Sequence, residues 1–446
     1  MRRVLVLALT ALCPPVFAQQ STSVDQSTSV RESTSVRESP SVRSNPAHTG
    51  VYDSPGVSTF HKVKWQFKTG GRILSSPVVS AGTVYFGSDD HHLHALDLAT
   101  GVERWKFKTG GRIPSTPAIA DGLLFFLSYD SNFYAVDAAT GKLRWKFATG
   151  GEHRFSAKHL HGIEPAAEIM PDPFDFYLSS PVVSRGVVYF GSSDGNVYAL
   201  EAATGAVKWK FKTGDVVHSS PALVDGTLFI GSWDTYLYAL DAASGKEKWR
   251  FKTGEDHEIY NQVGIQGSPA IADGIVYFGC RDSNFYAIDA ASGKPRWVFN
   301  NKGSWVINSP AIRDGKVFFA TSDTGLVHAL EAKSGAVIFT VDFNHWPMFS
   351  SPAIAGNMLY LGSHQGKLLA IDLTTEKPAW SFETDAFRKN GPAFTDEKRG
   401  AQLCGRIRRR LLRRHYLRHA KDVFRGRDSV VSSGFRRHDS VRISGR

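Results

Sequence analysis

Histidines, carboxylates and aromatic side chains gather in a few short stretches of this chain. His159 and His161 lie two apart, so an extended segment would point both to one side. With Glu164, or with Asp172, they form a donor set that suits a metal ion. Ordinary loop residues are the preferred alternative. Asp256, His257 and Glu258 contain the types needed for an acid–base pair, although spacing alone does not establish one. His91, His92 and His94 fall on a turn and the strand after it, and a solvated turn is expected there. Trp233 stands where related turns carry a polar residue. It could stack on a planar ligand or simply close a channel. Trp305 and the His345–Trp346 pair are further aromatic candidates, and Trp233, His257, Trp305 and Trp346 form the candidate ligand set. Cys13, Cys280 and Cys404 are isolated, so neither a disulfide framework nor a Cys-x-x-Cys metal site can be assembled.

What must position these residues is a repeat. Units begin at Trp65, Trp105, Trp145, Trp209, Trp249, Trp297, Phe339 and Trp380, with a base spacing of 40 residues. Each unit reads as four short strands. Ser-Ser-Pro opens the first, where a proline breaks no ladder bond. A two-residue turn such as Asp121-Gly122 or Asp273-Gly274 leads to the second, because glycine tolerates positive φ. A Gly-Ser-x-Asp turn leads to the third, and Asp-Ala-Ala-Thr-Gly-Lys to the fourth. Four strands every 40 residues predict a β-propeller. Insertions fall between a fourth strand and the next first strand, so they emerge on one face. The longest are Gly151 to Leu178 and Glu255 to Gln266. Histidine, acidic and aromatic residues therefore collect around one mouth of the channel, the expected surface for a ligand or partner.

The repeat resembles a known family. Ala-x-Asp-x-x-Thr-Gly-x-x-x-Trp appears as Ala95, Asp97, Thr100, Gly101 and Trp105, and again as Ala135, Asp137, Thr140, Gly141 and Trp145. It recurs with Glu201 for Asp before Trp209, and with Ser244 and Ser292 for Thr before Trp249 and Trp297. This is similar to the tryptophan-docking motif of pyrroloquinoline-quinone-type (PQQ-like) propellers. The resemblance covers about residues 45–384 and implies an all-β, eight-bladed propeller. It makes Trp105, Trp145, Trp209, Trp249, Trp297 and Trp380 structural, each burying apolar area between blades while its N–H finds an acceptor. Seven complete units are present, and residues 61–69 read as a lone fourth strand that would close an incomplete eighth blade. Members include quinone-dependent alcohol and sugar dehydrogenases, for which PQQ and Ca²⁺ would be implied. They also include the outer-membrane β-barrel assembly lipoproteins, which scaffold envelope proteins without catalysis. The vicinal cysteine pair of the alcohol-oxidising branch is missing, as is a Cys-x-x-Cys-His haem motif. A binding or scaffold module is therefore preferred to an enzyme, with envelope proteins or a small ligand as partner.

The ends of the chain differ from its body. Residues 1–18 read as a cleaved export signal, Arg2 and Arg3 before the apolar run Val4 to Leu12, which predicts a periplasmic or secreted protein. Leu12 before Cys13 argues against a lipid anchor. Residues 19–47 are a six-residue Ser/Thr/Val repeat leading into a short polar stretch, expected to be a disordered linker. The propeller is assigned to residues 48–398. No later apolar run approaches the roughly 20 residues that span a bilayer. Residues 400–446 hold 14 Lys+Arg against 3 Asp+Glu, and the rest of the chain holds 39 of each, so the net charge of +11 belongs to the tail. Nucleic acid is not an expected partner of the body. Residues 399–446 read as a basic tail produced by a shifted reading frame. With permissible codons, reading Ser429 to Arg442 one base later yields Val-Ser-Ser-Pro-Val-Val-Ser, the opening of a blade.

Overall fold

A computed structural model describes residues 41–160, 165–254, 264–343 and 346–390. The chain divides into a unit of Met1–Phe382 and a unit of Glu383–Arg446. In the second, the described structure is one short helix, Asp385–Asn390, with Asp385 in its first turn.

The first unit is an all-β propeller of seven four-stranded antiparallel sheets. Blades 1 to 7 span residues 78–108, 118–148, 182–212, 222–252, 270–300, 311–342 and 353–383. Blade 2 shows how sequence becomes sheet. Its strands are Ala118–Ala120, Leu123–Ser128, Asn132–Asp137 and Leu143–Ala148. The two-residue turn between the first pair has φ of 49° at Asp121 and 73° at Gly122. Both values are positive, which matches the right-handed twist of the flanking strands. The second and third strands are almost wholly buried between neighbouring sheets, whereas the fourth alternates exposed and half-buried residues. The core is accordingly a series of inter-blade layers, such as Phe133 stacked on Phe190 with centroids 4.0 Å apart.

Three sets of contacts tie the blades together. First, the indole N–H groups of Trp105, Trp145, Trp209, Trp249 and Trp297 donate to the carbonyls of Ala138, Ala202, Ala242, Ala290 and Ala332 on the next blade, at 2.9–3.2 Å. Their rings lie against Gly141, Gly205, Gly245, Gly293 and Gly335, where an added Cβ would come within 2.6–2.7 Å of the indole. Second, the backbone N–H groups of Ser76, Thr116, Ser180, Ser220, Ser268 and Ser309 donate to the hydroxyls of Thr116, Ser180, Ser220, Ser268, Ser309 and Ser351 at 2.9–3.0 Å. The second residue of each Ser-Ser-Pro thus links blade to blade. Third, the segment before the propeller lies along the first strands of blades 4 to 7. Leu223, Ile271, Ile312 and Ile354 donate their N–H groups to the carbonyls of Pro46, Ala47, Thr49 and Gly50 at 2.7–2.9 Å. Strand Val51–Tyr52 then pairs in parallel with Ala353–Ala355. Arg43 is buried and its two Nη atoms donate to Pro352 O and Pro310 O. Burial lowers the Arg43 pKa to about 10 and that of His48 to about 3, the latter with help from the nearby Arg43 charge. Residues 43–47, placed in the linker on composition, are therefore part of the packed structure.

The blade number differs from the expectation of eight. Among the described residues there are seven blades, and residues 61–69 form no strand. A lone fourth strand has no third strand to satisfy its ladder, and backbone groups without a ladder remain irregular. The segment still docks. Trp65 donates to Leu98 O at 3.0 Å and lies on Gly101. On blade 7, Trp380 donates to Val57 O at 2.8 Å and Phe60 packs on its ring.

Candidate functional site

The turn between the second and third strands of every blade has one variable position just before the repeat's Asp (Gln365 in blade 7). Reading blades 1 to 7, it holds Asp89, Tyr129, Ser193, Trp233, Arg281, Ser322 and His364. In six blades the backbone N–H of this residue donates to a carbonyl of the loop entering the same blade: Arg72, Arg112, Val216, Gly264, Trp305 and Pro347. In blade 3 the carboxylate of Glu152, from the long insertion, takes that role. Nearly the same backbone frame therefore presents six different side-chain types at seven places.

Arg281 is the centre of the strongest constellation. Its side chain is fully buried. Nη1 donates to Asp172 Oδ2 at 2.6 Å, and Nε and Nη2 donate to Gln266 Oε1 at 3.1 and 2.9 Å. The guanidinium carbon lies 4.4 Å from the Trp233 ring centre and 4.3 Å from that of Trp305. Trp233 in turn stacks on Phe155 of the insertion, with centroids 4.3 Å apart and planes 10° apart. Phe174 meets the Trp305 edge at 5.8 Å, and Phe349 lies beyond it. The insertion, blades 4 and 5 and the loop entering blade 6 are thus joined through one cation between indoles, an arrangement that strengthens when desolvated.

A second buried network anchors the base of the insertion. Asp175 Oδ1 lies 2.7 Å from His218 Nδ1, and His218 Nε2 lies 2.8 Å from Ser193 Oγ. Ser193 Oγ and Ser192 Oγ donate to Glu152 at 2.7 and 2.6 Å. Burial alone would lower the His218 pKa, but the Asp175 charge and hydrogen bond outweigh it and the net direction is upward. Burial raises the Glu152 pKa against its hydrogen bonds. The order Asp–His–Ser resembles a nucleophile relay, yet Ser193 donates to a carboxylate and is buried, so the network serves as a clamp.

The candidates chosen from the sequence separate. Trp233 and Trp305 come together around Arg281. Trp346 instead packs on the core of blades 6 and 7, with Lys367 Nζ 4.2 Å over its ring. His159 is exposed and its backbone donates to Ala166 O. His161, Glu164 and His257 lie outside the described residues, as do Asp256, Glu258 and His345. Asp172, an alternative metal ligand, is committed to Arg281. His94 is buried, which corrects the solvated-turn expectation for that residue. Sequence reasoning missed Arg281, Gln266, Glu152, Asp175 and His218. Arg281 had a signal, since it occupies the same turn column as Trp233.

With this geometry in hand, comparisons with known proteins can be placed. A family model described as outer membrane protein assembly factor BamB matches residues 61–170, 176–300 and 300–398. The crystal structure of BamB from Moraxella catarrhalis is 18% identical, covering 70% of this chain and 88% of that one, with a TM-score of 0.57. A europium-containing methanol dehydrogenase is 15% identical over 78% of this chain and 85% of its own, with a TM-score of 0.64. The quinohemoprotein alcohol dehydrogenase from Comamonas testosteroni is 15% identical over 78% and 73%, with a TM-score of 0.61. At these identities the likeness is one of fold. No curated protein matches the sequence.

Proposed function

The chain belongs to the family of outer membrane protein assembly factor BamB, and from that premise we propose that it is a binding or scaffold module of the cell envelope. Envelope proteins, or a small ligand, would be held at the loop-rich face. The leader motif at residues 1–18 extends this reading to an exported protein in the periplasm or outside the cell. No helix among the described residues is long and apolar enough to cross a membrane. The tryptophan contacts between blades are read as the docking that the repeat resemblance implies.

The observation that carries the proposal is the close packing of the cluster around Arg281. A planar quinone needs an open aromatic face, and Trp233 is 2% exposed with Phe155 and Arg281 stacked on it. The carboxylates there, Asp172 and Asp175, are paired with Arg281 and His218, which leaves neither available to Ca²⁺. Cys280 has no cysteine beside it. The described residues of this cluster do not fit PQQ and Ca²⁺. The insertion also carries an exposed apolar side chain, Ile169 at 66% exposure, which makes it a probe of partner binding. The alternative, a PQQ-dependent dehydrogenase of an alcohol or sugar, draws on the fold likeness.

Two measurements on the purified protein test this reading. Adding PQQ with Ca²⁺ is expected to give no absorbance shift and no dye reduction with alcohols or sugars. Envelope proteins captured by the wild-type chain are expected to be lost with Ile169→Glu. Dye reduction together with an empty capture reverses the assignment.

A further inference from the structure

We propose that blade 1 carries a Zn²⁺ site formed by Asp90, His92 and His94, with Glu103 orienting His94. In blades 2, 3 and 5 the turn and third strand read Asp-x-Asn-x-Tyr: Asp130, Asn132, Tyr134; Asp194, Asn196, Tyr198; Asp282, Asn284, Tyr286. Blade 4 has Asp234, Tyr236 and Tyr238. In all four blades the tyrosine at the last position, Tyr134, Tyr198, Tyr238 or Tyr286, donates its hydroxyl to the Asp carboxylate. The fold is thus served by a tyrosine. In blade 1 both positions are histidine: His94 keeps the bond to the Asp carboxylate and the stacking on the preceding strand, as a histidine, His328, also stands in this column of blade 6, and His92 adds a second ring nitrogen beside Asp90.

His92 and His94 are two apart on the strand His92–Asp97, so they share a face of the sheet. His94 Nε2 lies 3.1 Å from Asp90 Oδ2, and His92 Nδ1 lies 3.5 Å from Asp90 Oδ1. One donor atom from each residue falls within 4.8 Å of the others. A tetrahedral zinc ion with bonds of about 2.0–2.2 Å has neighbouring ligands about 3.3–3.6 Å apart. The groups therefore need only small movements to close on an ion.

Glu103 Oε1 lies 2.7 Å from His94 Nδ1. A carboxylate behind one ring nitrogen, with the other nitrogen aimed at the ion, is how zinc-bound histidines are held. Asp90 is fixed in turn by the backbone N–H groups of Gly70 and His92. In the ion-free arrangement His94 Nε2 is hydrogen-bonded to the Asp90 carboxylate at 3.1 Å and His92 Nδ1 to Asp90 O at 2.9 Å. Zinc would replace both bonds. Side-chain exposures of 24% for His92 and 14% for Asp90, against 4% for His94, leave one side open for entry and for a fourth ligand such as water. Two imidazoles with one carboxylate favour Zn²⁺ over Ca²⁺ or Mg²⁺, which prefer oxygen.

The test rewrites blade 1 as its sister blades. Full-length protein freed of metal with a chelator, and the His92→Asn, His94→Tyr double variant, compete with a chromophoric indicator for Zn²⁺. The wild type is expected to retain one more Zn²⁺ per chain than the variant, and only its melting temperature is expected to rise with added Zn²⁺. Equal retention by both proteins would place the ion elsewhere and overturn the site. No retention by the wild type would reduce the cluster to a hydrogen-bonded network and overturn it equally. Should the double variant fail to fold, His92→Asn alone, at a partly exposed position, is expected to weaken binding at least tenfold, and unchanged affinity overturns the proposal.

Discussion

The consequence of removing Arg281 is set by what it leaves behind. Its guanidinium is the buried partner of Asp172, whose other oxygen accepts the Phe174 N–H at 2.7 Å. Arg281→Met keeps volume between the two indoles but strands a buried carboxylate, a change that costs about 3–5 kcal/mol when one partner of such a pair is lost. The double variant Arg281→Met, Asp172→Asn removes the stranded charge and keeps the acceptor for Phe174, so urea melts are expected to show most of the loss restored. Additive losses would sink the account. His218 gives a second, pH-dependent case. Asp175, Glu152 and Asp215 act on it, and its folded pKa lies above the ordinary value. Folding therefore favours the cation, and this stability is fully present below about pH 6.5 and lost as pH rises through the raised value. Glu152 acts in the same sense, because a raised acid pKa favours the neutral form in the fold. Melting temperature is expected to fall as pH rises above about 6.5 in the wild type, and to fall less in His218→Gln; parallel curves would contradict this. At this scale little was legible. Trp233 stood out against its neighbours in the repeat, whereas Asp175 and His218 lie 43 residues apart and meet only because an insertion folds back.

Strands were far more legible than sites, for a physical reason. Each blade buries its second and third strands between neighbours, so the same alternation and turn chemistry recur every 40 residues and report themselves many times over. The segment of residues 43–52 had no such support. It carries Pro46, Thr49 and Gly50 and no apolar period, yet four backbone carbonyls make it the partner of four blades. Its role follows from main-chain atoms, which composition does not reveal. Those bonds give the segment a measurable weight. With a chain beginning at Ser41 as reference, one beginning at Asp53 loses acceptors for Leu223, Ile271, Ile312 and Ile354, worth roughly 1 kcal/mol each. Losing this amount is expected to lower the melting temperature by more than about 5 °C. Melts that coincide would mean that water replaces the segment without loss.

At the scale of the whole molecule, two expectations rested on different kinds of inference. The seven units came from residues and were met by seven sheets. The eighth blade came from reading residues 61–69 as a fourth strand, but one strand's side-chain pattern cannot supply the three strands that a sheet needs. Charge, by contrast, is additive along a chain and can be assigned without any fold. The sequence pI is about 9.4, yet residues 1–399 carry equal numbers of basic and acidic side chains. A balanced surface exerts little net attraction on a polyanion beyond a Debye length of about 8–10 Å in physiological salt. Any affinity of the full chain for heparin or anionic vesicles should therefore reside in residues 400–446, whose net charge is +11. Full-length protein is expected to bind a heparin column at low salt and to elute as salt rises. A chain ending at Arg399 is expected to flow through at the same pH, with the binding of envelope proteins unchanged. Retention of the shortened chain would place a basic patch on the propeller itself and reopen the question of its partners.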